Sequence, residues 1–163
     1  AMVLNGRRSR AAGSDSARSL ESALRMLTRR DHTCHELAVK LRGKGFGSAD
    51  IDQALARCRQ LGYLDDARTA AVMVDHLVAR GYGPLRVRQT LLQKGLDAAL
   101  VQKVLIRCGD EAHQVLGARR LLAKKSARLA READACKRRL AAYRYLAGRG
   151  FPAEVIRKAI DDL

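Results

Sequence analysis

Apolar residues along this chain recur at intervals of three and four, the helical period, and never gather into the alternating run of a half-buried strand. The pattern is also repeated. The tripeptides Lys44-Gly45-Phe46, Lys94-Gly95-Leu96 and Arg149-Gly150-Phe151 align, separated by 50 and then 55 residues. Their flanks align with them. Leu41, Leu91 and Leu146 coincide on one side, with Leu37, Val87 and Ala142 a turn earlier. Ile51, Val101 and Ile156 coincide on the other, followed by Leu55, Leu105 and Ile160. A period of this length belongs to stacked helical units. Glycine just past a helix end takes the left-handed conformation without a Cβ penalty, and the residue after it packs back on the last turn. Each copy therefore predicts a helix, a capped stop and a new helix, with Phe46 on Leu41, Leu96 on Leu91 and Phe151 on Leu146.

The elements follow in order. Residues 1–18 hold four Arg among Ser, Gly and Asn and predict a disordered basic tail. Ser19 reads as an N-cap, and Leu20, Leu24 and Leu27 carry a helix up to Arg30. Asp31 or Thr33 caps the next, which passes Leu37 and Leu41 to Gly45. A third opens at Ser48 and ends at Gly62, with Tyr63 packing on Cys58. The second unit starts at Leu64-Asp65-Asp66, where Asp65 caps and the acidic pair suits the helix dipole. It stops at Gly81, and Pro84 opens the following helix to Gly95. Asp97 caps one to about Arg107. The third unit has a long basic lead-in from Asp110, with a break expected between Ser126 and Asp134. Its final helix runs from Pro152. The expectation is an all-α protein, an elongated array of three-helix repeats at 19–63, 64–109 and 110–163, with neighbours completing each small core.

Charge turns this array toward a polyanion. The chain of 163 residues carries 32 Lys and Arg against 17 Asp and Glu, a net +15, and residues 110–163 alone carry 13 against 7. Such an excess suits nucleic acid or an acidic protein surface. Lys124, Lys125, Arg128 and Arg131 have spacings that place much of their charge along one helical face. Lys137, Arg138 and Arg139 follow, near Tyr143 and Tyr145. Arg86, Arg88 and Lys94 form a second group. Long cations contact phosphates, and tyrosines either stack on bases or pack between helices.

Other chemistry is disfavoured. Asp65 and Asp66 are adjacent, so on a helix they diverge by ~100° and share no substrate. His32, Cys34 and His35 match no zinc spacing and read as polar residues on a helix surface. Cys58 and Cys108 occupy one repeat position and read as small core residues. The glycines are single helix stops, not phosphate loops. No catalytic residue, cofactor or metal is expected. No apolar run approaches the ~18 residues of a membrane span. Arg7-Arg8 lacks the apolar stretch of a secretion signal, and Ala1 ahead of Met2 reads as an expression remnant. The cytoplasm is the expected location, and a monomer the expected state.

Several segments resemble the RecX regulatory proteins: Arg29-Arg30-Asp31-His32, Glu36-Leu37, Lys40-Leu41, Lys44-Gly45-Phe46, Gly62-Tyr63-Leu64-Asp65-Asp66, Arg68, Gly81-Tyr82-Gly83-Pro84, Lys94-Gly95 and Arg149-Gly150-Phe151. The resemblance runs from about residue 20 to the C-terminus. Thr69 stands where that family often has Phe, which loosens the expected packing there. The resemblance implies a non-enzymatic array that binds the RecA nucleoprotein filament in its groove. It further implies damping of ATP hydrolysis, strand exchange and co-protease activity. Single- or double-stranded DNA is a second expected partner. The competing reading is an autonomous basic DNA-binding protein with helix-turn-helix-like units. Against it, Ile51–Cys58 and Val101–Cys108 carry few of the residues that read bases.

Overall fold

In the computed structural model, residues 6–161 are described, with side chains from Asp15 onward. Every regular element among them is helical: α1 Gly6–Leu27, α2 Cys34–Gly43, α3 Ser48–Gln60, α4 Asp66–Ala79, α5 Pro84–Gln93, α6 Ala98–Val104, a 3₁₀ turn Leu105–Cys108, α7 Glu111–Ala123, α8 Ser126–Leu129, α9 Ala135–Gly148 and α10 Ala153–Ile160. Two compact units divide the chain. One runs to Thr69 and takes in Lys94–Leu96; the other is Ala70–Gln93 with Asp97–Leu163.

The glycine stops are formed as the repeat predicts. Gly45, Gly62, Gly81, Gly95 and Gly150 all have positive φ, between 72° and 87°. After α2 the Phe46 N–H donates to Leu41 O at 3.3 Å and Gly45 N–H to Arg42 O at 2.9 Å. After α9 the Phe151 N–H donates to Leu146 O at 3.2 Å and Gly150 N–H to Ala147 O at 2.9 Å. These paired bonds satisfy carbonyls that the helix end leaves open. Tyr63 makes the same backbone bond to Cys58 O, at 3.0 Å, but its ring stays 55% exposed rather than packing down.

Caps set the starts. Thr33 and Glu36 form a reciprocal capping box on α2. Asp97 caps α6, and Asp65 accepts from the Ala67 and Arg68 amides at 2.9 and 3.0 Å. Asp66 does something else: its carboxylate accepts the Cys34 N–H at 2.8 Å, satisfying the first amide of α2. The two neighbouring carboxylates thus diverge, as adjacent helical positions must.

Three expectations are corrected. The basic stretch expected to be a disordered tail is helical from Gly6, and only residues 1–5 of it lie outside the described residues. Its Ala and Arg are good helix formers, and no Pro interrupts the chain between Gly6 and Leu27. Ser19 is consequently no N-cap. It lies inside α1, fully buried, and its hydroxyl donates to Asp50 O on α3 at 3.2 Å. The basic stretch from Asp110 breaks twice: once over residues 130–134, inside the expected window, and once at Lys124–Lys125, before it, where α7 ends. Residues 123–131 carry four cations and no carboxylate, and like charges a turn apart weaken a helix.

The cores sit where the repeat places them. Leu37, Leu41, Ile51, Leu55 and Cys58 cluster with Ala23 and Leu64 in the first unit. Leu122, Ala142, Leu146, Phe151, Val155, Ile156 and Ile160 cluster in the second. Cys58 and Cys108 are buried, and burial pushes both thiols up. Thr69 is 4% exposed despite its smaller side chain.

Two joints set helix starts on glycine stops, and the first of them ties Lys94–Leu96 to the first unit. The Thr33 hydroxyl donates to Lys94 O at 2.7 Å, and the Lys94 ammonium meets Glu36 at 2.6 Å. In the second unit, Gly83 N–H donates to Arg149 O at 2.9 Å and Leu85 N–H to Gly150 O at 3.0 Å. In both cases the start of one middle helix rests on the glycine stop of the next.

Candidate filament and nucleic-acid interface

The second joint gathers the aromatic and basic residues. Arg149 leaves its glycine stop with its guanidinium 5.2 Å from the Tyr82 ring and 5.5 Å from Tyr145. It also donates to Arg80 O at 3.0 Å. Arg80 lies 5.8 Å from Tyr82, and Lys125 Nζ 4.7 Å from Tyr145. The result is a row in which cations and rings alternate: Arg80, Tyr82, Arg149, Tyr145, Lys125. Cations over π faces fix the rings in orientation while leaving charge at the surface.

Beside this row a cleft of about 340 Å³ opens between the Gly81–Pro84 turn and α7. Arg80, Tyr82, His113, Gln114, Arg120 and Lys124 line it with apolar neighbours, and no carboxylate does so among the described residues. A cleft with one sign of charge concentrates the opposite sign.

The residues expected to bind are therefore partly regrouped. Lys124 caps the end of α7 and lines the cleft, and Lys125 stacks on Tyr145. Arg128 lies on the single turn of α8 and Arg131 beyond it, both exposed. The four do not share one helical face, because the helix ends between them. Lys137 is exposed near the start of α9. Arg138 is half-buried, donates to Glu132 O at 3.1 Å and borders a mainly apolar groove beside Leu122, Leu129 and Ala159. Arg139 lies 3.7 Å from Asp161. Arg86 and Arg88 are exposed on α5, the Arg86 backbone packing against Gly150. Lys94 is committed to Glu36 in the first unit, while Arg86 and Arg88 belong to the second. Burial pushes the Glu36 carboxyl up. Donation from Lys94, the Thr33 amide and Arg30 outweighs that and holds it below the usual carboxylate range.

Sequence reasoning missed Arg80, Tyr82, Arg120 and Arg149 as site residues. The signal was present in the Arg-Gly-Phe and Gly-Tyr-Gly-Pro segments, but their meeting is long-range.

His32 is another departure. It is 3% exposed, not a surface residue. Its Nδ1 lies 2.9 Å from Arg30 O and its Nε2 2.9 Å from Lys40 Nζ. An ammonium only donates, so Nε2 accepts and Nδ1 donates to the carbonyl. Burial lowers the ring's pKa, and the Arg30 and Lys40 cations add to that against the Arg30 carbonyl. His32 is a neutral structural ring. No group of three or more His, Cys, Asp or Glu is placed to hold a metal among the described residues.

Comparison with known proteins agrees with this architecture. The family model for RecX, first three-helix domain, matches residues 20–58, and that for RecX, second three-helix domain, matches residues 65–105. The regulatory protein RecX of Vibrio vulnificus (strain CMCP6) is 33% identical over 142 residues, covering 87% of this chain and 90% of that protein. The chain belongs to the RecX family. The regulatory protein RecX of Legionella pneumophila (strain Corby) is 44% identical over 88 residues, which span 54% of this chain and 59% of that relative. A crystal structure of RecX from Lactobacillus salivarius superposes with TM-score 0.83 and 22% identity, over 93% of this chain and 97% of that one. A second crystal structure, of a regulatory protein RecX, gives 0.85 and 22%, over 99% and 80%. At that identity the two structures show the fold alone. No helix among the described residues is long and apolar enough to cross a membrane.

Proposed function

We propose that this RecX-family chain is a non-enzymatic cytoplasmic regulator. It binds the RecA–DNA filament and damps its ATP hydrolysis, strand exchange and co-protease activity. The observation that carries the reading is the alternating row of cations and tyrosines beside a cleft whose charged lining residues are all cations. Such a surface presents cations, held in place by the rings they cover, to a phosphate backbone. The same reading takes the three aligned glycine stops as marking repeats at 19–63, 64–109 and 110–163, with several weak contacts adding through effective concentration. Arg80, Tyr82, Arg120, Lys124, Lys125, Arg128 and Arg149 form the proposed contact, with Arg131, Lys137 and Arg88 as flanking charge. Retention on immobilised RecA, with and without single-stranded DNA and a non-hydrolysable nucleotide, tests it. The chain is expected to be retained most by the assembled filament. Equal retention on bare DNA favours an autonomous DNA-binding protein instead.

A further inference from the structure

Three glycine stops share one geometry, but only two of them are occupied. At Gly95 a Cβ would strike the His35 side chain, 2.6 Å from its Cδ2. At Gly150 it would strike the Arg86 backbone, 2.9 Å from its Cα. A Cβ at Gly45 would meet nothing within 4 Å among the described residues, although its φ of 87° is close to the 72° of Gly95 and the 84° of Gly150. The carbonyls follow suit. Lys94 O accepts from Thr33, Arg149 O from Gly83 and Gly150 O from Leu85. No described residue donates to the carbonyls of Lys44 or Gly45. The next side chain repeats the contrast: Leu96 and Phe151 are 4% and 6% exposed, while Phe46 is only half-buried.

We infer that the Lys44-Gly45-Phe46 turn is a docking surface for the N-terminus of an α-helix on a partner protein. The first joint supplies the template for what fits. Its incoming helix presents a hydroxyl N-cap, Thr33, to the carbonyl of the lysine before glycine. Its third residue, Glu36, meets that lysine's ammonium at 2.6 Å. Lys44 stands at the position of Lys94, so the partner helix carries Ser or Thr at its N-cap and a carboxylate three residues on. The charge of the surroundings agrees, since Lys40, Arg42 and Lys44 are all exposed here. An acidic first turn also suits a helix N-terminus by itself. This surface belongs to the first unit, and the inference stands apart from the nucleic-acid row of the second.

The probe is a synthetic peptide copying residues 30–44 with Cys34→Ser, added to the isotope-labelled full chain. Amide shift changes are expected at Lys44, Gly45 and Phe46. The peptide carrying Thr33→Val and Glu36→Gln is expected to bind at least tenfold more weakly, and Thr33→Ser to restore binding. Lys44→Glu in the protein is expected to weaken the parent peptide similarly and to recover a Glu36→Lys peptide; Lys44→Arg keeps the parent. Lys44 is exposed, so these variants leave the fold unaltered by ellipticity. Shifts at Lys94–Leu96 instead, indicating exchange with the internal helix, would overturn the inference. So would indifference to the peptide changes, absence of any shift at millimolar peptide, or self-association of the chain through the same turn.

Discussion

Gly83→Ala is expected to destabilise the second unit by about 3–5 kcal/mol, although Gly83 has no left-handed backbone. A Cβ there would lie 2.6 Å from both the Gly150 carbonyl carbon and the Phe151 nitrogen. Both atoms are backbone, so no side-chain rotation relieves the clash. The start of α5 has to move off the Arg149–Phe151 turn. That movement breaks the bonds from Gly83 N to Arg149 O and from Leu85 N to Gly150 O. Two such bonds contribute about 1 kcal/mol each, and overpacking costs about 1–3 kcal/mol more. Gly45→Ala is the control. It meets only the backbone strain of a positive φ, about 1 kcal/mol, because the space beside it is open. Urea denaturation followed by far-UV ellipticity compares the two. Equal costs for both substitutions would contradict the joint.

Reversing charge at Lys124, Lys125 and Arg128 together, each to Glu, is expected to weaken retention on RecA-coated DNA tenfold or more. Three cations become three anions beside the Tyr82–Arg149–Tyr145 row, and Lys125 loses its place over Tyr145. The helices are expected to survive. Lys124 ends α7, Lys125 follows it and Arg128 occupies one exposed turn, so none belongs to the buried clusters. Part of the wild-type affinity is also expected to fall with salt, as released counterions require. If the triple variant is retained normally with unchanged ellipticity, these residues are solvated charge and the contact lies elsewhere.

Local rules were readable from the sequence. A left-handed glycine followed by an apolar residue encodes a helix stop within six positions, so the turns at Gly45, Gly81 and Gly150 were legible. The caps at Asp65 and Asp97 were too, while that of α2 was narrowed only to Asp31 or Thr33, of which the structure has Thr33. What escaped was long-range. Gly83 is small because a backbone 67 residues away touches it. Arg149 reads as part of a stop until its guanidinium is placed between two tyrosines, Tyr82 on the turn before α5 and Tyr145 on α9. Ser19 and His32 are polar residues whose partners, Asp50 O and Lys40, become visible only once the helices pack. The basic stretch before Ser19 carried few large apolar residues, and composition outweighed its helix propensity in the reading. The charge cluster after Lys124 was legible as charge, while its division between α7, α8 and α9 depended on where like charges end a helix.

DNA-dependent ATP hydrolysis by RecA tests the central claim most directly. Wild-type chain, titrated from substoichiometric to stoichiometric against RecA, is expected to lower the rate. The reduction is expected to persist when bare single strands are added, because a filament ligand prefers coated DNA. An unchanged rate at equimolar chain, or a reduction abolished by bare single strands, would contradict the account.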